Sequence, residues 1–137
     1  TALAREEMKH FERVHALVRQ RGKTLTPVRP DRYVQRLRRA ILGGGEGIPK
    51  MIDQLLLCCF VEARSCERFR LLAQSPLPED LLSFYTELAR AEDRHHEMFL
   101  HHAVAEGGEQ RVHDRVKQIA TLEATLIQTL TLEPRMH

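Results

Sequence analysis

The chain has 137 residues, with seven Gly, six Pro and few aromatic or β-branched residues against abundant Leu, Arg, Glu and Ala. That balance favours a single all-helical domain, long enough to bury a core, over a strand-rich fold. No apolar run approaches the roughly 18 residues of a membrane-crossing helix, and no secretory signal pattern opens the chain. Cys58, Cys59 and Cys66 are odd in number, clustered and without a CxxC spacing, so they form no disulfide framework and point to a reducing cytoplasm. The net charge is only +2, but residues 19–39 set Arg19, Arg21, Lys23, Arg29, Arg32, Arg36, Arg38 and Arg39 against the single acid Asp31. Such a concentration suggests an anionic partner.

In chain order, a first helix is expected from before residue 3 to about Arg21, stopped by Gly22. A long connector over 22–47 follows, in which Pro27 and Pro30 bar regular helix. Within it, Asp31 is placed to N-cap a short basic helix ending near Leu42, where Gly43-Gly44-Gly45 stops it. Pro49 suits the first turn of a long helix reaching about Gln74. Ser75-Pro76-Leu77-Pro78 makes a tight turn into a second long helix, about Glu79 to Ala105. Gly107-Gly108 breaks the chain before a last helix over about 109–132, stopped by Pro134.

Three of these helices carry polar residues inside apolar stripes. Leu3, Glu7, His10, Val14 and Leu17 share one face of the first. Met51, Leu55, Cys58, Glu62, Cys66, Phe69 and Ala73 share one face of the next. Leu81, Tyr85, Leu88, Glu92, His95 and Phe99 do so in the third. A carboxylate placed in a core costs several kcal/mol unless it is paired or metal-bound. The recurrence on three helices calls for one shared explanation.

Two Glu-x-x-His pairs and one lone Glu make five of the six ligands of a carboxylate-bridged di-metal site. Such sites draw one Glu from each of two helices and a Glu-x-x-His pair from each of two others. The ligand set expected here is Glu7, His10, Glu62, Glu92 and His95, with Glu62 and Glu92 also assigned catalytic roles at the metal. Antiparallel pairing about the 75–78 turn would bring Glu62, Glu92 and His95 to nearly the same height. Carboxylates with imidazoles suit iron or manganese better than thiolate-seeking metals. The whole reads as a ferritin-like four-helix bundle lacking its first helix, with the 22–47 connector as its crossover and a further C-terminal helix. An upstream helix carrying the sixth ligand, a glutamate, is expected.

Other candidates have simpler readings. Glu12-Arg13-Val14-His15 repeats the motif on the polar face and is set aside as coincidence. Cys58, Cys66 and Tyr85 read as core residues. His96 points away from His95, and His101, His102 and His113 lack ligand spacing to one another. Glu123 falls near the last helix's stripe (Val112, Val116, Ile119, Leu126, Leu130), but Leu122 serves that face equally well. Arg29, Arg32, Arg36, Arg38 and Arg39 form a candidate RNA-binding stretch.

The string Phe60-Val61-Glu62-Ala63-Arg64-Ser65-Cys66-Glu67-Arg68-Phe69, then Phe84-Tyr85 and Ala91-Glu92-Asp93-Arg94-His95, resembles the tRNA 2-methylthio-N6-isopentenyladenosine hydroxylase (MiaE) family. So does the opening Leu3-Ala4-Arg5-Glu6-Glu7-Met8-Lys9-His10-Phe11. The resemblance implies a ferritin-like non-haem di-iron monooxygenase, with two iron ions and O2 as co-substrate. Its substrate would be a hypermodified adenosine beside the tRNA anticodon, hydroxylated on its isopentenyl group, and an electron donor would be a further partner. Asp93 stands where the family's motif usually has Ala, leaving the ligands intact and adding an acid beside them. A ferritin-like storage or ferroxidase protein is the rival expectation, and a bundle without metal chemistry a third.

Overall fold

The computed structural model describes residues 2–27, 29–42 and 47–130. They fall into two compact units, within Thr1–Pro30 and within Asp31–His137. All regular structure among the described residues is helical: α1 (Ala2–Gln20), α2 (Arg32–Leu42), α3 (Lys50–Ala73), α4 (Glu79–Gly107) and α5 (Glu109–Gln128).

The first unit is α1 and the extended segment after it. The expected stop at Gly22 takes a specific form. Gly22 has φ +65° and donates to the Arg19 carbonyl at 2.9 Å, while Lys23 N–H reaches back to the Val18 carbonyl at 3.1 Å. This is the paired 5→2 and 6→1 closure of a Schellman cap, which requires a left-handed residue and so favours glycine. The unit buries none of its helical side chains.

In the second unit, Asp31 caps α2 as its sequence promised: its Oδ1 accepts the Val34 N–H at 2.9 Å. Pro49 stands at the start of α3, its carbonyl accepting the Ile52 N–H at 2.9 Å. Gly108, at φ +80°, closes α4 by donating to Val104 at 2.8 Å and opens α5. The glycine triplet at 43–45 and Pro134 lie outside the described residues.

Helices α3 and α4 pair as an antiparallel hairpin across the 75–78 turn. Helix α2 lies against α3 and α5, and α5 also meets α4. Tyr33, Leu37 and Ile41 of α2 pack with Ile52 and Leu56 of α3, Ala103 of α4, and Val112 and Ile119 of α5. Full burial of each aliphatic side chain here contributes about 1.5–3 kcal/mol. At Gly107 a Cβ would come within 2.6 Å of Ile52 Cδ1 and 3.0 Å of Val112 Cγ2, so glycine lets α4 close on α3 and α5 there.

One expectation about the core shifts by a residue. The α3 stripe was expected to run through Met51, Leu55 and Cys58, yet Met51 and Cys58 are exposed and Ile52, Leu56 and Cys59 are buried. Residues 55–61 are apolar without interruption, so periodicity alone cannot choose their inward face. Packing of α2 and α5 makes the choice.

Candidate metal centre

Each Glu-x-x-His pair folds as helical spacing dictates, with residues three apart on one face. In α1, His10 Nδ1 lies 3.7 Å from Glu7 Oε1. In α4, His95 Nδ1 lies 3.3 Å from Glu92 Oε2, and both side chains are buried, Glu92 at 6% and His95 at 4% exposure. Two donors roughly 2.0–2.2 Å from one ion at near right angles stand about 3 Å apart. The α4 pair is therefore close to the spacing a shared cation needs. Its oxygen and imidazole donors suit iron, and a bound cation would offset the cost of burying Glu92.

Glu62 is half-buried on α3. Its height on the hairpin follows from neighbouring contacts. Cys66 Sγ donates to the Ala89 carbonyl at 3.2 Å and lies 3.7 Å from Asp93 Oδ1, while Ile52 meets α4 at Gly107. One turn before Cys66, Glu62 is thus level with the turn of α4 that holds His95. Glu7 and His10 belong to the first unit, and Glu62, Glu92 and His95 to the second.

The opposite face of α3 is occupied by ion pairs that the sequence reading missed. Asp53 is buried and accepts from Arg115 Nε at 2.8 Å and Nη2 at 3.0 Å, and Arg115 Nη2 also donates to the Ile41 carbonyl at 2.9 Å. Arg64 reaches Glu123 Oε2 at 3.1 Å and pairs with Glu67. Tyr33 OH donates to Glu123 Oε1 at 2.6 Å. At 3.6 residues per turn, Asp53 and Arg64 lie about 180° and 200° around α3 from Glu62. Helices α2 and α5 therefore lock onto the back of α3 as seen from Glu62.

Of the two residues read as serving the stripe of α5 equally well, Glu123 is buried and Leu122 is 41% exposed. The signal lay in the stripe, since Glu123 follows Ile119 by four and precedes Leu126 by three. Arg115 sits the same way between Val112 and Ile119, an apolar-face position for a charge that only a buried partner could satisfy.

Burial, the Glu123 hydrogen bond and its negative charge together push the Tyr33 hydroxyl well above the ordinary tyrosine range. Burial tends to lower Arg64, but the Glu123 charge and hydrogen bond outweigh it and the guanidinium is raised. Burial also raises all three thiols, Cys59 to about 11, with Glu62 contributing at Cys58 and Cys59. Tyr85 stacks on Phe69 with ring centres 5.9 Å apart, a packing role. His101, His102 and His113 are exposed, and His96 Nδ1 lies 3.7 Å from Asp93.

The candidate RNA-binding residues are all exposed: Arg29 in the first unit, and Arg32, Arg36, Arg38 and Arg39 on α2. Arg32, Arg36 and Arg39 share the face of α2 opposite buried Tyr33, Leu37 and Ile41. Arg36 Nη1 donates to Thr129 Oγ1 at 3.3 Å.

All-helical, with a buried Glu-x-x-His pair and a glutamate level with it on the adjoining helix, the chain is of the ferritin-like class. It belongs to the tRNA-(MS[2]IO[6]A)-hydroxylase (MiaE) family, whose model matches residues 1–137. A tRNA 2-(methylsulfanyl)-N(6)-isopentenyladenosine(37) hydroxylase from Pseudomonas putida KT2440 is 40% identical over 135 residues, covering 98% of this chain and 64% of that protein. The protein of the same name from Salmonella typhimurium LT2 is 35% identical over 135 residues, covering 98% of this chain and 48% of that one. The chain thus spans less than two thirds of the length of these curated relatives. A solved structure, "Protein 43 with aldehyde deformylating oxygenase activity" from Synechococcus, superposes with a TM-score of 0.84 at 33% identity, covering 99% of this chain and 68% of that one.

Proposed function

We propose that the protein is a non-haem di-iron monooxygenase that hydroxylates the isopentenyl group of 2-methylthio-N6-isopentenyladenosine beside the tRNA anticodon. The observation that carries this is the buried Glu92–His95 pair within a chain matched along its whole length by the hydroxylase family. Both relatives named above are hydroxylases and the structural neighbour is an oxygenase, which favours this reading over iron storage.

Glu7, His10, Glu62, Glu92 and His95 would hold the metal, which when bound supplies the O2 activation that no side chain provides. Glu62 and Glu92 are the carboxylates closest to the reaction in this scheme. Leu88 and Ala91, within about one turn of Glu92 on α4, are buried apolar neighbours of the pair. The electron donor is a separate partner. A tRNA substrate places the protein in the cytoplasm, and no described helix is long and apolar enough to cross a membrane. Exposed Arg29, Arg32, Arg36, Arg38 and Arg39 would attract the RNA.

The test is anaerobic Fe(II) loading with metal analysis, then exposure to O2 and reductant with tRNA bearing the isopentenyl nucleoside. Mass spectrometry should show one added oxygen on that nucleoside, and His95→Ala should lose both iron and product. Iron uptake and oxidation without any oxygenated nucleoside would turn the assignment to storage.

A further inference from the structure

Phe69 of α3 and Tyr85 of α4 stack across the hairpin with centres 5.9 Å apart and planes 22° apart, and Phe84 tilts against Tyr85 at 5.6 Å. Phe84 is buried, but Phe69 and Tyr85 are only half-buried, so both rings keep area open beyond what packs the hairpin. Tyr33, by contrast, is fully buried and its hydroxyl is bonded to Glu123. A tyrosine that serves a core usually binds its hydroxyl in this way. The Tyr85 hydroxyl has no protein partner among the described residues.

Register sets where the two rings stand. Phe69 lies seven residues after Glu62, and Tyr85 seven before Glu92. Seven residues are two turns less about 20°, so each ring shares its helix face with that helix's glutamate. The rise over seven residues is about 10.5 Å. Because α3 and α4 run antiparallel, both rings lie on the 75–78 side of the two carboxylates. The strip between is apolar: Cys66, between Phe69 and Glu62, and Leu88, between Tyr85 and Glu92, are buried. The hairpin thus carries an open aromatic pair at one end of an apolar strip and two carboxylates at the other.

The proposed substrate has its parts in the same order and at nearly the same spacing. Unstacked bases in RNA loops are held on aromatic side chains. Four bonds carry the isopentenyl arm from N6 to its end, so the extended distance from base centre to terminal methyl is roughly 9 Å. We infer that Phe69 and Tyr85 form the stacking platform for the adenine of the target nucleotide, with the isopentenyl arm laid over Cys66 and Leu88 toward Glu62 and Glu92. The inference rests on the proposed substrate and adds the residues that hold its base. The spacing presents the far end of the arm to the carboxylates, not the end joined to N6.

A cycle between ring and base tests the contact itself. Anisotropy should give the affinity of the iron-loaded protein, without reductant, for two anticodon stem-loops. One carries the isopentenyl nucleoside and the other is abasic at that position. Wild type should prefer the intact RNA by tenfold or more, about the worth of one stacked base. Tyr85→Phe, which keeps the ring, should retain that preference. Tyr85→Leu, which keeps apolar bulk alone, should cut it about tenfold, with the salt slope unchanged because no phosphate contact is lost. Against the abasic RNA all three chains should agree, and iron content should match throughout. Phe69→Leu should behave as Tyr85→Leu does, and replaces it if that variant melts early. A Tyr85→Leu loss equal for both RNAs would make the ring structural and overturn the platform, as would a leucine variant that keeps the full preference. Wild type binding both RNAs equally would also overturn it while leaving RNA as the substrate. Wild type binding neither would remove the substrate reading and the platform with it.

Discussion

Tyr33 shows how much one buried hydroxyl can organise. It is 2% exposed, and its donation to Glu123 gives that carboxylate a second partner beside Arg64. Tyr33→Phe removes the donor but leaves Arg64 in place, so a loss of about 1–2 kcal/mol is expected at neutral pH. The pH dependence has a definite sign. Burial and Glu123 raise the folded-state value of this acid above its unfolded value near 10. The stabilising contribution is therefore fully present below about pH 10 and lost as pH rises further, since the unfolded chain gives up the proton first. Urea unfolding of wild type and Tyr33→Phe at neutral pH and above pH 10 tests this, with the gap between them narrowing at the higher pH. Equal gaps would mean that the hydroxyl does not titrate with unfolding. None of this was legible in advance, because a tyrosine on a short basic helix announces no partner ninety residues away.

Among the elements, helix ends were read well and helix faces less so. Gly22, Asp31, Pro49 and Gly108 act locally, through φ, a missing N–H or a short capping side chain, and local effects survive into the fold. The inward face of α3 depends on what packs against it, and an unbroken apolar run at 55–61 gave no phase. The Asp53–Arg115 pair does much to fix that phase, joining α3, α5 and the α2 carbonyl at Ile41. Removing one partner should be costly. Asp53→Ala strands a buried guanidinium at 2% exposure, and about 3–5 kcal/mol of stability should go with it. Asp53→Leu combined with Arg115→Met should recover most of that loss, because the desolvation of both charges disappears together. Denaturation midpoints of the single and double variants decide it. A double variant as weak as the single would show that the Arg115 bond to Ile41, not the ion pair, holds α2.

For the whole molecule, the Glu92–His95 pair was legible because residues three apart share a helix face, and that spacing is written in the sequence itself. The two ion pairs behind α3 were not, since each joins residues about sixty apart whose pairing exists only once the helices pack. The same pairs bear on how an RNA would approach. They hold α2 on the back of α3 relative to Glu62, with Arg32, Arg36 and Arg39 facing outward. From there these arginines would act on the proposed RNA substrate through their field, which raises the rate of encounter, more than through contacts at the reacting base. Arg36→Glu with Arg39→Glu should therefore slow association with a tRNA anticodon stem-loop by about tenfold at low salt. The effect should fade as the Debye length shrinks toward about 8 Å near physiological ionic strength, and dissociation should change little. Iron loading should be untouched. Stopped-flow measurement at several salt concentrations separates the cases: a faster dissociation that persists at high salt would place α2 in direct contact with the bound RNA.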